Sequence, residues 1–143
     1  MMLACAQPSD ARTGGRSTKA TTLTVVLVED DLGMRTALER VLEIAGFDVR
    51  AFASAEQCLA SSAPANAGCL VCDVHLPADS GFDLHQQLLR VGVTAPVIFI
   101  TAQDSPAARK TAEQLGAAAY LTKPFEGRAL VSAVREATQP RGR

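Results

Sequence analysis

From Leu23 onward, short apolar runs alternate with stretches whose apolar positions recur at helical spacing, and the alternation is repeated five times. Unbroken β-branched runs suit strands buried on both faces, and the stretches between them suit amphipathic helices laid against a sheet. The pattern predicts an α/β domain with a parallel sheet.

The first strand reads as Thr24 to Val28. A helix follows over Leu32 to Ala45, with Met34, Leu38, Val41, Leu42 and Ala45 on one face and Gly46 as a left-handed cap. Phe47 to Phe52 is the second strand, and Ser54 with Gln57 three residues on forms a capping box for the second helix. After a loop over Ser61 to Gly68, Cys69 to Asp73 is the third strand. Beyond the His75 to Ser80 loop, Gly81 to about Val91 is the third helix. Val97 to Thr101 is the fourth strand, and Asp104 or Ser105 caps the fourth helix, whose first turn suits Pro106. Gly116 ends that helix, Ala118 to Thr122 is the fifth strand, and Glu126 to about Thr138 is the last helix, with Leu130, Val134 and Ala137 inward.

Composition adds boundaries. Residues 1–22 hold many small, polar and turn-forming side chains and read as a flexible leader; 23–138 form the domain, and 139–143 read as a frayed tail. Fourteen basic against fifteen acidic residues leave a formal charge of -1, so no global field favours nucleic acid or an anionic membrane. No apolar run reaches membrane-spanning length, and a cytoplasmic location is expected. Of the four cysteines, Cys69 and Cys72 have the spacing of a metal pair, but on a strand residues three apart point to opposite faces. They read as small buried side chains, and the four cysteines together are scattered rather than spaced as a secreted disulfide framework, with Cys5 in the leader.

The candidate chemistry sits at the strand ends. In open parallel sheets the working crevice lies beyond the carboxyl ends of the strands. There the chain places Glu29-Asp30-Asp31, Asp73, Thr101 and Lys123, each directly after an apolar run. Carboxylates gathered so closely repel one another, and a hard divalent cation with oxygen ligands relieves this. An aspartate can then act as a nucleophile toward phosphorus, with Lys123 and the Thr101 hydroxyl available to phosphoryl oxygens. Asp31 fits the N-cap of the first helix instead.

The motifs Val25-Val26-Leu27-Val28-Glu29-Asp30-Asp31, Leu70-Val71-Cys72-Asp73-Val74-His75-Leu76-Pro77, Ile98-Phe99-Ile100-Thr101-Ala102 and Tyr120-Leu121-Thr122-Lys123-Pro124-Phe125 stand in this order along the chain. Together with Ser80-Gly81 they resemble the receiver domain of two-component response regulators, over Leu23 to about Thr138. The resemblance implies a flavodoxin-like (βα)5 three-layer sandwich with a parallel five-stranded sheet in the order 2-1-3-4-5. It makes Asp73 the acceptor of phosphate from a sensor kinase histidine. Mg2+ (or Mn2+) is then held by Glu29, Asp30, Asp73 and the backbone carbonyl of His75. Thr101 and Tyr120 correspond to the switch pair and Lys123 to the phosphate-binding lysine, before a Lys123-Pro124 bond that is cis in the family.

The same resemblance implies a signalling receiver rather than an enzyme, one that assists its own metal-dependent phosphorylation and dephosphorylation. Its expected partners are a sensor histidine kinase or a histidine phosphotransfer protein, a downstream effector protein, and a phosphorylation-dependent homodimer. The output surface is expected on the fourth helix, fifth strand and fifth helix, which Ala107, Ala108, Ala112 and Ala117 to Ala119 keep small-sided. With only dispersed basic residues in leader and tail, the chain reads as a stand-alone receiver without direct DNA binding. The alternative is the receiver portion of a DNA-binding transcriptional regulator. An aspartate-nucleophile phosphatase expects a second carboxylate where His75 stands, and a flavodoxin expects hydroxyls and glycines where Glu29-Asp30-Asp31 stand. His75 reads as an exposed loop residue, and His85, on a helix, receives no role.

Overall fold

The computed structural model of the chain describes residues 22–139. The expectations for the leader with Cys5, and for the tail from Pro140 to Arg143, lie outside the described residues. Five strands, β1 (Thr24–Val28), β2 (Asp48–Phe52), β3 (Cys69–Asp73), β4 (Val97–Thr101) and β5 (Ala119–Thr122), alternate with α1 (Leu32–Ile44), α2 (Ala55–Ala60), α3 (Gly81–Arg90), α4 (Pro106–Gln114) and α5 (Gly127–Thr138). All four strand pairings are parallel, in the order β2-β1-β3-β4-β5. This is the expected flavodoxin-like architecture.

Strand alternation divides the core into two layers. Val26, Val28, Leu70, Cys72 and Phe99 face α2, α3 and α4 through Ala55, Cys58, Leu84, Leu88 and Ala112. On the opposite face, Val25, Leu27, Val71, Ile98 and Ile100 meet Leu38 and Leu42 of α1 and Leu130 and Val134 of α5. Cys69 and Cys72 fall in different layers, so they do not converge. Burial pushes the thiols of Cys58 and Cys69 up to about 11 and about 12, and that of Cys72 upward too, which keeps all three protonated and inert.

The caps explain where elements start. Asp31, Ser54, Ser80 and Ser105 each accept a hydrogen bond from the backbone N–H three residues on. Ser105, not Asp104, therefore caps α4. The capping box of α2 is displaced by one residue, because Gln57 reaches back to the N–H of Ala53 rather than that of Ser54. Gly46, at a φ of 104°, takes the left-handed position that ends α1. Four sequence boundaries shift by one residue: α1 ends at Ile44, and β2 begins at Asp48, β5 at Ala119 and α5 at Gly127, where ladder and helix bonds first close. The expected loop before β3 contains a turn of 3-10 helix, Ala63–Asn66.

Phe99 is the largest fully buried side chain among the described residues and meets the Phe82 ring edge-on, with centroids 4.8 Å apart. Phe99→Ala is expected to lower stability by about 3–5 kcal/mol in chemical denaturation, through lost burial and the cavity left behind. Ile44→Ala, at a residue 80% exposed, is expected to cost no more than about 0.5 kcal/mol in the same assay.

Candidate functional site

Glu29 and Lys123 lie one residue beyond β1 and β5, and Asp73 ends β3. By alternation they continue the rows of Leu27, Leu121 and Val71, all on the α1 and α5 side of the sheet. The Lys123 ammonium donates to Glu29 Oε1 at 2.7 Å and to Asp73 Oδ2 at 2.8 Å. One cation thus ties three strand ends together. Glu29 is 1% exposed and Asp73 5%, so both carboxylates are largely withdrawn from water. The Lys123-Pro124 bond is cis, as the resemblance implied.

The remaining carboxylate oxygens are also engaged. Asp73 Oδ1 accepts from the His75 backbone N–H at 2.9 Å, and Glu29 Oε2 accepts from the Asp31 N–H at 3.1 Å. The Arg35 guanidinium donates to the carbonyl of Glu29 at 2.9 Å and to that of Asp30 at 3.4 Å, pinning the loop after β1. Asp31 turns away to cap α1, accepting from the Met34 N–H at 2.8 Å. The N-terminus of α3 comes so near the end of β3 that a Cβ on Gly81 would collide with the backbone carbonyl of Asp73. Glycine is what allows this approach.

Burial raises the Glu29 carboxyl above its ordinary range; its hydrogen bonds to Lys123 and the Asp31 N–H work against this, and the charge of Asp73 adds to it. For Lys123 burial favours the neutral amine, but the two carboxylates together outweigh it and the net direction is upward. Among the described residues, Glu29, Asp30 and Asp73 form a group whose carboxylate oxygens lie within 4.8 Å of one another. Such a set of hard oxygen donors, with exposed Asp30 open to water, fits a Mg2+-type cation.

Thr101, at the end of β4, is fully buried. Its hydroxyl accepts from the Gln103 N–H at 3.0 Å and lies 3.3 Å from His75 Nδ1. His75 is exposed as expected, yet sequence reasoning missed that contact. The signal was the short loop itself, which His75 and Ser80 close by an antiparallel bridge. A second miss concerns Asp104. Its carboxylate accepts from the Tyr120 hydroxyl at 3.1 Å and from Arg109 at 2.9 to 3.2 Å, while the guanidinium lies 5.0 Å from the Tyr120 ring centroid. His85 is 3% exposed and packs edge-on against Phe99, and its Nδ1 has no hydrogen-bond partner among the described residues.

The family model described as the response regulator receiver domain matches residues 25–135. The chain belongs to the response regulator receiver family. Nodulation protein W of Bradyrhizobium diazoefficiens is 39% identical over 126 residues, which cover 88% of this chain and 56% of that protein. Transcriptional regulatory protein FixJ of Azorhizobium caulinodans is 36% identical, over 79% of this chain and 54% of its own length. The chain therefore spans about half the length of these relatives. Among solved structures, the non-phosphorylated HemR receiver domain from Leptospira biflexa superposes with a TM-score of 0.77 at 26% identity, covering 85% of this chain and 98% of that one. Receiver domains are signalling modules of two-component systems that bind Mg2+ at an acidic pocket and work with histidine kinases and downstream effectors. No helix among the described residues is long and apolar enough to cross a membrane.

Lys123→Met leaves two buried carboxylates without their cation, and the expected loss of stability at neutral pH is about 3 kcal/mol. The pH dependence has a definite sign. With its folded pKa raised, Glu29 contributes stability that is fully present below its ordinary value of 4.5 and is lost as pH rises through the raised one. Removing Lys123 pushes that carboxyl further up, so the deficit of the variant should shrink as the solution is acidified. Denaturant titrations at several pH values measure this.

Proposed function

We propose that Asp73 accepts the phosphoryl group from a phosphohistidine of a sensor kinase or histidine phosphotransfer protein. The observation that carries this is the pairing of Asp73 Oδ2 with Lys123 at the carboxyl edge of the sheet, at 2.8 Å. An Asp73 oxygen attacks phosphorus, the new P–O bond forms as the P–N bond breaks, and the donor imidazole leaves with the electron pair. Lys123 then turns its charge to the phosphoryl oxygens, and the Thr101 hydroxyl donates to one of them. Glu29, Asp30, Asp73 and the His75 carbonyl would hold Mg2+ or Mn2+, which when bound supplies positive charge against the incoming phosphoryl oxygens. The same groups serve the hydrolysis that resets the receiver.

Thr101 and Tyr120 form the switch in this reading. Thr101 follows Phe99 on one row of β4, and Tyr120 pairs with Phe99 across the β4–β5 ladder. Threonine and tyrosine thus lie on the same face of the sheet, the one packed against α2, α3 and α4. Drawing the Thr101 hydroxyl toward Asp73 frees space on that face for the tyrosine ring, and the α4, β5 and α5 surface changes with it. That surface includes a cavity of about 220 Å³ lined by Arg109, Ala112, Glu113, Ala117, Ala119 and Tyr120. The reading places the domain in the cytoplasm, with an effector protein or a second phosphorylated copy as the recipient of the signal. A second reading, in which these residues are the receiver portion of a DNA-binding regulator, draws on the greater length of the relatives and on the name of the Azorhizobium protein.

With acetyl phosphate and Mg2+, Asp73→Asn is expected to abolish phosphoryl labelling, whereas Asp31→Ala should keep most of it because that side chain caps a helix. Equal loss in both would overturn the assignment of acceptor and cap. Glu29→Gln combined with Asp30→Asn should remove Mg2+ binding measured by calorimetry; unchanged affinity would refute the metal site.

A further inference from the structure

The Tyr120 hydroxyl is held by a group that the switch reading leaves without a role. Asp104 precedes the Ser105 cap of α4, and Arg109 lies one turn into that helix. The guanidinium forks onto the Asp104 carboxylate, with Nε at 3.0 and 3.2 Å from its two oxygens and Nη2 at 2.9 Å. Oδ1 of the same carboxylate accepts from the Tyr120 hydroxyl at 3.1 Å, and the guanidinium stands 5.0 Å from the ring centroid. The tyrosine is therefore gripped twice, at its hydroxyl by the anion and at its ring by the cation. An isolated exposed ion pair contributes little, but a forked pair that shares its carboxylate with a third group fixes geometry. Tyr120 belongs to β5, Arg109 to the first turn of α4 and Asp104 to the loop between Thr101 and that helix, the segments that the Thr101 shift displaces.

We propose that Asp104 and Arg109 act as positioning residues that latch Tyr120 in its unswitched place and thereby set how readily the unphosphorylated domain enters the switched state. The proposal rests on the Thr101 and Tyr120 switch. A contact made only in the unswitched state lowers the fraction of switched molecules, and the apparent affinity of any ligand that needs the switched state falls by that fraction. The latch thus keeps the receiver silent until Asp73 is modified. Its removal favours switching without adding any contact to the phosphoryl group.

Tyr120 is the only tyrosine of the chain and there is no tryptophan, so ring-labelled tyrosine resonances and intrinsic emission both report this one side chain. The test titrates beryllofluoride with Mg2+ into the parent chain, Asp104→Ala, Arg109→Ala and Arg109→Lys, following the tyrosine signal. Loss of the latch is expected to move the starting signal toward the beryllofluoride-saturated position and to lower the half-saturating concentration by about three- to tenfold. Arg109→Lys, which keeps the charge but not the fork, should fall between parent and Arg109→Ala. As a control on mere destabilisation, Asp104→Ala in a Tyr120→Phe background should leave the acetyl phosphate labelling rate where Tyr120→Phe alone puts it. A signal that shifts in the parent but with the same half-saturation in every variant overturns the latch and leaves the switch standing. A tyrosine that never moves with beryllofluoride in the parent overturns both.

Discussion

Lys123 is the point on which the site depends. Its ammonium bridges Glu29 and Asp73, and so joins the loop after β1 to the end of β3 from a position just beyond β5. These groups come from strands that are not all neighbours in the sheet, since β4 lies between β3 and β5. Two carboxylates with 1% and 7% side-chain exposure repel and resist ionisation when left alone, and removing the partner of a buried charge costs several times what an exposed pair contributes. The cation therefore has a structural part in the unmodified domain. It permits the acidic cluster to be built into the end of a folded core, and it holds the Asp73 carboxylate in place.

Much of this was legible in the chain. The apolar runs located the strands to within a residue: β1, β3 and β4 are buried almost throughout and stay apolar between their ends, whereas β2 keeps Asp48 and Arg50 exposed between apolar neighbours. The site followed from topology: polar residues placed directly after four such runs must meet at one edge of a parallel sheet. Ladder and helix boundaries at Asp48, Ala119 and Gly127 were less readable, since they depend on which backbone bond closes first rather than on side-chain type. Two contacts were not readable. His75 reaches Thr101 only because its loop folds back on Ser80, and Asp104 meets Tyr120 only because β5 sets the ring beside the start of α4. Both join an exposed polar residue to a more buried one from a distant segment, a meeting that leaves no periodic trace in a sequence.

The two faces of the sheet divide the labour. Glu29, Asp73 and Lys123 continue the rows that face α1 and α5, whereas Thr101 and Tyr120 belong to the face that carries α2, α3 and α4. In the proposed switch a chemical event on one side reaches the other through Thr101, whose hydroxyl lies at the end of β4 within reach of His75 and the Gln103 N–H. Since the core around β4 is fully buried and close-packed, displacement there favours a change between two arrangements over a gradual deformation.

The account turns on which side chain carries the phosphoryl group, and His75 and Asp30 are close enough to Asp73 for this to be a real question. Protein labelled with acetyl phosphate and Mg2+ can be reduced with borohydride, which converts an aspartyl phosphate to homoserine, and then mapped by peptide mass spectrometry. Homoserine at position 73 alone is the predicted result. Reduction at Asp30 or Glu29, or an unreduced phosphoryl group retained on His75, would contradict the account.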